Sequence, residues 1–259
     1  MRYGICNLPV IPLREDISNK SEMISQVLFG ESFEVLESSK DHVYVRLAHD
    51  GYQGWISTKQ QQPIDDEVYA LLRQPQQLSD LSTMAMALKV GKEESIHLLP
   101  GSVLPFLEDN MFRINAQEYL FLGLVREPVL SNFENEVAEV SQFFLNAPYL
   151  WGGRTLFGVD CSGFVQAVYR FFGIQLSRDA WQQAEQGSQV DFVQEAKLGD
   201  LAFFDNEEGR ISHVGMMLGE SEIIHASGRV KIDQIDSQGI YSKEENRYTH
   251  RLRIIKRMV

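Results

Sequence analysis

Cysteine is nearly missing from this 259-residue chain: Cys6 and Cys161 are the only two. Two thiols so far apart, with no Cys-x-x-Cys or Cys/His spacing around them, exclude a disulfide framework and a thiolate zinc site. Positive charge is also scarce. Against 36 Asp and Glu stand 24 Lys and Arg, a formal net charge of −12, so nucleic acids and other anionic polymers are excluded as partners and a small soluble peptide fits better. Long apolar runs are lacking too, which excludes a membrane-spanning helix and a membrane partner. The opening MRYGICNLPVIPLRED has neither the continuous apolar core nor the small-residue cleavage site of an export signal, and a cytoplasmic location is the expectation, although a signal removed beforehand leaves no trace. What remains is ample: 44% apolar residues over this length suffice for a main core with one or two small satellite domains. Nothing in the composition sets the oligomeric state.

The stretch at 148–173, PYLWGGRTLFGVDCSGFVQAVYRFFG, organises the rest. Cys161 follows a loop punctuated by Gly152, Gly153 and Gly158 and precedes Phe164, Val165, Val168, Phe171 and Phe172, which share one face at helical spacing, with Gly173 as a stop. Cys161 therefore falls in the first turn of a helix. Unpaired backbone N–H groups and the positive end of the helix dipole favour an anion there, so this thiol is expected to ionise more readily than a free one. Gly163 weakens that same turn, which implies a close approach of backbone or substrate. A single cysteine is more often a small buried residue, and downstream histidines shift that balance.

In GRISHVGMML, His213 is read as opening a strand, with Gly215 and Met217 on its face. His225 lies in the next strand, SEIIHAS, and the turn around Gly219 and Glu220 makes the two an antiparallel hairpin. The imidazoles can then be neighbours. That geometry suits Cys161 as nucleophile, His213 as base, and His225 as the group that fixes the tautomer and orientation of His213. On its own, His225 reads more simply as a satisfied core histidine.

The segments PYLWGG, DCSGFVQ, SRDAWQQ, LGDLAFF, HVGMML and IIHAS, in this order and spacing over the last half of the chain, resemble the NlpC-type papain-like cysteine peptidases, which cut bacterial cell-wall peptides. The resemblance implies Cys161 as nucleophile, His213 as base, His225 as orienting residue, and Tyr149 as a donor to the oxyanion alongside the nucleophile's backbone N–H. It implies no metal or organic cofactor. It also implies hydrolysis of the bond between D-γ-glutamate and a diamino acid in murein-derived peptides. The subgroup with two SH3-like modules and an Arg-Asp step after the catalytic helix, here Arg178-Asp179, resembles enzymes that need a free amino-terminal L-alanine. Asp179 can receive that ammonium, a contact worth roughly 1.5–3 kcal/mol, or can cap a helix over 180–187; the two readings stand side by side. Asp160 and Ser162 are in position to meet the glutamyl portion, and Tyr52 and Glu22 are candidates to close the cleft over the alanine end.

Before the catalytic half, short β-rich runs at 25–28, 32–37, 43–47 and 54–57, with turn signals at Gly30, Asp41 and Asp50-Gly51, suggest a small barrel. QVLFGE and GYQGWI resemble bacterial SH3-like modules. QQQPIDD, at 60–66, reads as a polar link, and further runs at 68–72, 85–90, 96–99, 111–114 and 119–125 suggest a second SH3-like barrel. A helix over 133–146, capped by Asn132 or Asn135, then opens the catalytic domain. The expected architecture is α+β: an SH3-like β-barrel at 1–62, a second at 63–128, and a papain-like cysteine peptidase domain at 129–259. The competing readings are a hydrolase of intact peptidoglycan, an amidase or acyltransferase using the same three residues, and a non-catalytic cell-wall binding module.

Overall fold

The structure, a computed structural model, describes residues 2–259 and divides into two compact units, one ending at Val129 and the other spanning Leu130–Val259. The first unit begins with strands β1 (Tyr3–Ile5), β2 (Val10–Arg14), β3 (Met23–Leu28), β4 (Ser32–Ser38), β5 (His42–Leu47), β6 (Gln53–Ser57) and β7 (Gln62–Ile64). They form one antiparallel sheet in the order β3-β2-β6-β5-β4-β1-β7. Alternation along these strands turns Ile11, Leu13, Val27, Phe33, Val43, Val45 and Ile56 inward around the fully buried Cys6.

The strands Tyr3–Ile5 and Val10–Arg14 are additional to the runs read from the sequence, and two further segments differ from that reading. Gln62–Ile64, within the expected polar link, is a strand paired to β1. Residues 68–72, expected as a strand, belong to helix α1 (Asp66–Leu72). Asp65 enters it in an extended conformation, and Asp66 and Glu67 place negative charge at its positive end. A five-residue apolar run fits either period, and the acidic start decides it.

The strands that follow are β8 (Gln77–Ser79), β9 (Met86–Lys89), β10 (Ser95–His97), β11 (Val103–Leu104), β12 (Met111–Ile114), β13 (Gln117–Leu122) and β14 (Val125–Arg126). They form a four-stranded sheet, β10-β9-β13-β12, and a three-stranded one, β11-β8-β14. Their core takes in Ile5 and Ile64 from the first sheet and Phe29 from the turn after β3. Phe29 meets Phe112 edge-on at 5.7 Å, and the Val103 N–H donates to the Phe29 carbonyl at 2.9 Å.

The second unit opens with α2 (Phe133–Gln142), shorter than expected and entered through a 3-10 turn, Leu130–Asn132, with no side-chain cap from Asn132. Its Phe133 ring packs on Tyr169 and Phe172. These belong to α3 (Cys161–Arg170) and the turn after it, so α2 braces the cysteine-bearing helix. Between them lies a two-stranded hairpin, β15 (Arg154–Thr155) and β16 (Gly158–Val159); α4 (Ala180–Gln183) is a single turn. The strands β17 (Ser188–Val190), β18 (Leu201–Asp205), β19 (Ile211–Met217), β20 (Glu222–Ser227), β21 (Arg229–Ile235), β22 (Gly239–Ser242) and β23 (Arg247–Arg257) follow. Their order is β17-β23-β18-β19-β20-β21-β22, and β22 pairs back to β23, closing the sheet into a barrel with β17 at its margin. Phe204, Met217, Ile223, Ile235, Ile240 and Ile255 are among the residues of one of its cores, while α3 lies against β19 and β20. No helix among the described residues is long and apolar enough to cross a membrane.

Candidate active site

Cys161 is the first residue of α3, and Asp160 is its N-cap, accepting from the Gly163 N–H at 2.7 Å. The other Asp160 oxygen accepts from the Gly152 N–H at 2.8 Å, which ties the preceding loop to the helix start. Arg178 donates to both Asp160 oxygens, at 3.1 and 2.5 Å, and to the Ser162 hydroxyl at 2.9 Å. Asp160, Ser162 and Arg178 thus form one buried network beside the thiol. The close approach implied by Gly163 is one of backbone: a Cβ there would lie 2.2 Å from the Gly153 carbonyl oxygen.

Burial pushes the Cys161 thiol up to about 12, and the Asp160 carboxylate adds to it, while backbone N–H groups of Val214 and Ser162 and the Arg178 guanidinium act in the opposite direction. The expected easy ionisation at the helix start is overturned, because desolvation outweighs the helix end. The Val214 N–H, next to His213, also shows that the sulfur lies against β19.

On the hairpin, Gly215 pairs with His225 across β19 and β20, so His213, two residues earlier, is its diagonal neighbour on the same face. Gly215 keeps that space open, since a Cβ there would sit 2.9 Å from the His225 Cβ. His213 Nε2 and His225 Nδ1 are 2.9 Å apart, and His225 Nε2 lies 3.1 Å from Asp233 Oδ2. Lys231 Nζ lies 3.1 Å from the same oxygen. The direction of this line follows from its end: an ionised carboxylate only accepts, so His225 carries its proton on Nε2 and accepts at Nδ1. His213 must then donate from Nε2. Its lone pair is left on Nδ1.

Burial is the largest influence on each histidine here and favours the neutral form. It lowers His213 well below the ordinary imidazole value, with His225 and His250 adding to the effect. It also lowers His225, against the pull of Asp233. Asp233 stays below the usual carboxylate range although burial opposes this, because His225 and Lys231 both hydrogen-bond it. Burial thus favours the neutral form of both the thiol and the imidazole.

A third ring completes the cluster. His250, on β23, stacks on His213 with centroids 4.1 Å apart and planes 25° apart, and Phe204 meets His213 at 5.7 Å. Nitrogens of His213, His225 and His250 come within 4.8 Å of one another, yet they do not suit a metal ion. Stacked rings direct their in-plane lone pairs alongside each other, not to a common point, and the facing nitrogens of His213 and His225 already bond each other.

Tyr149 is about one-third exposed, and burial pushes its phenol up to about 12, so it remains an O–H donor at neutral pH. Its backbone N–H donates to the Gly228 carbonyl at 2.9 Å and it bridges Val159. Asp179 is half-buried at the N-cap of α4, in a reciprocal capping box with Gln182, whose Oε1 accepts the Asp179 N–H at 3.2 Å. In the other unit, Tyr52 is half-buried against the first sheet's core, and Glu22 is exposed just before β3. Sequence reasoning missed Asp233, Lys231 and His250; the period-2 alternation after His225 carries the first two onto one face.

A thiol at a helix start, laid against a strand whose histidine is backed by a second histidine, on a helix-and-barrel unit, defines a papain-like cysteine peptidase. The family model described as NlpC/P60 family matches residues 146–250, and that described as bacterial dipeptidyl-peptidase SH3 domain matches residues 13–60. A gamma-D-glutamyl-L-lysine dipeptidyl-peptidase of Bacillus subtilis (strain 168) is 31% identical, over 94% of this chain and 82% of its own length. One of the same name from Bacillus cereus (strain ATCC 10987) is 27% identical over 81% and 69%. The crystal structure of an NlpC/P60 family protein from Bacillus cereus ATCC 10987 superposes over 99% of both chains with a TM-score of 0.80 at 22% identity. The chain belongs to the NlpC/P60 family of cysteine peptidases and carries an amino-terminal SH3 domain.

Proposed function

We propose that the chain hydrolyses the γ-D-glutamyl bond to a following diamino acid in free murein peptides that begin with L-alanine, as a step of peptide recycling in the cytoplasm. The observation that carries the chemistry is the line Asp233–His225–His213, which leaves His213 Nδ1 as the basic atom on the side away from His225. Cys161 gives its proton to that nitrogen as its sulfur attacks the γ-carbonyl carbon. The bond to the diamino acid breaks, its nitrogen leaves with the proton from His213, and a thioester remains. Water then attacks the thioester, His213 takes a proton from it, and the sulfur leaves to regain that proton as a thiol. Through both steps the Cys161 backbone N–H and the Tyr149 hydroxyl donate to the oxyanion.

Because burial favours a neutral thiol and a neutral imidazole at rest, the charge pair forms only as the substrate reacts, where fixed donors stabilise it most. Asp160 and Ser162 line the glutamyl end, and the Arg178 guanidinium cancels the Asp160 charge that would otherwise repel an anionic substrate. Asp179 receives the α-ammonium of L-alanine with lone pairs beyond those its capping box uses. The names of the two Bacillus relatives support a dipeptidyl-peptidase reading.

The test is to offer the purified protein free L-Ala-γ-D-Glu-diamino acid peptide, its N-acetylated form, and intact murein. The free peptide is cut. Acetylation lowers kcat/KM by roughly ten- to a hundred-fold, since the Asp179 carboxylate then loses the charged donor that the free amine supplies, at a cost of about 1–3 kcal/mol. Asp179→Asn weakens cleavage of the free peptide far more than that of the acetylated one. Equal cleavage of both peptides, or ready digestion of murein, overturns the free-amine reading.

A further inference from the structure

The Asp233–His225 line fixes one in-plane direction of the His213 ring, but a hydrogen bond at one nitrogen does not fix the plane of that ring. The second torsion of a histidine side chain is broad and two-fold, so an imidazole held at one edge can still tilt, or flip and put ring carbons where its nitrogens were. A tilt misdirects the Nδ1 lone pair; a flip hands it to the wrong neighbour. We propose that His250 is a positioning residue for this peptidase: by stacking on His213 it clamps the plane of the base and keeps Nδ1 aimed at the nucleophile. The inference rests on the proposed role of His213 as base.

The stack is the tightest ring contact His213 makes, with centroids 4.1 Å apart and planes 25° apart; Phe204 leans on the ring at 5.7 Å and 46°. His225 lies edge-on, at 84°, and so restrains the edge of the ring and not its face. His250 is itself held. It sits on β23, where it pairs with Ile240 of β22, and its Nδ1 lies 2.9 Å from Thr249 Oγ1, which donates in turn to the Ile240 carbonyl at 3.4 Å. The hydroxyl's proton is thereby directed to Ile240, so His250 Nδ1 is the donor to Thr249. Burial, the largest influence, holds His250 at about 4, which keeps it neutral at neutral pH. A neutral ring also offers its face to the imidazolium that His213 becomes in each step, an attraction of the cation–π kind. A protonated His250 would repel it.

The test uses the full chain with three residues at this position. His250→Ala removes the clamp and should lower kcat by roughly ten- to a hundred-fold with KM changed less than about two-fold, as expected when a reacting group is misplaced by a fraction of an ångström to an ångström. His250→Phe restores a flat ring without its nitrogens and should recover kcat to within about three-fold of wild type. A readout independent of turnover comes from nitrogen NMR of histidine-labelled Cys161→Ser protein. The His213 ring should show a single sharp tautomer with His250 or Phe at the position, and broadened, averaged signals with Ala. Thermal melts of all three confirm that folded protein is compared. Wild-type kcat in His250→Ala overturns the inference, as does a sharp His213 tautomer in that variant. Equal loss in the Ala and Phe variants also overturns it, by assigning the effect to the His250 nitrogens. If wild type cleaves none of the peptides, the proposed reaction fails, and the NMR comparison still decides whether His250 clamps the ring.

Discussion

Arg178 and Asp160 meet through both terminal guanidinium nitrogens and both carboxylate oxygens, with side chains only 2% and 7% exposed. Breaking a buried pair from one side is far more damaging than lacking it altogether, because the remaining charge has no water to fall back on. Arg178→Met should therefore destabilise the protein by about 3–5 kcal/mol in urea unfolding. Adding Asp160→Asn to it should recover part of that loss, since the neutral amide oxygen can still cap α3. A double variant less stable than the single one would show that the carboxylate does not depend on this arginine.

Iodoacetamide reports the state of the thiol. With Cys161 held at about 12, its alkylation rate should rise about ten-fold per pH unit between 7 and 9, following the thiolate fraction. A preformed thiolate would give a flat profile over the same range. Cys6, fully buried and likewise pushed up to about 12, should remain unmodified until the protein unfolds. Peptide mapping after timed alkylation separates the two sites.

Asp233 acts on the base through His225. Asp233→Ala leaves His225 without the acceptor that keeps its proton on Nε2, so kcat should fall roughly ten- to a hundred-fold with little change in KM. Asp233→Asn, whose amide oxygen can accept the same N–H, should lose less. Steady-state kinetics on one peptide order the three proteins, and equal rates would remove Asp233 from the line.

Stability should fall on mild acidification. His250 is lowered from 6.5 to about 4 in the folded chain, and burial depresses His213 and His225 as well. A base with a depressed folded value binds its proton more readily when unfolded, so this stability is complete above 6.5 and is lost as pH falls from there toward 4. Thermal melts at constant ionic strength should show Tm dropping through that window. His250→Phe should flatten the drop.

Much of the site was legible because its parts are local. Cys161 stands between a glycine-rich loop and an apolar helical face, and His213 and His225 lie on adjacent strands joined by a short turn, so spacing alone brings the two rings together. Asp233 and His250 were not legible for the opposite reason. Their places depend on the pairing of β20 with β21 and of β22 with β23, and a strand's register is a tertiary fact. The ionisation of Cys161 was misjudged because a helix start can be seen in a sequence, whereas the depth at which it is buried cannot. In the first unit, Val68 to Leu72 failed as a strand because five apolar residues do not reveal their period, and Gln62–Ile64 was hidden in a polar run that nonetheless extends along β1.

The strand β23 pairs with β17, β18 and β22 and also carries His250. On the ribosome, therefore, Cys161, His213 and His225 are all made before the segment that closes the barrel behind them. Chains grow at about 5–20 residues per second, so for a few seconds a nascent chain carries its nucleophile and base without the strand that closes the barrel. Only when residues as far as Arg257 have emerged can the barrel shut. Activity is in this way timed to the end of translation of the domain, and a chain that stalls short of β23 carries its reactive groups without an assembled catalyst.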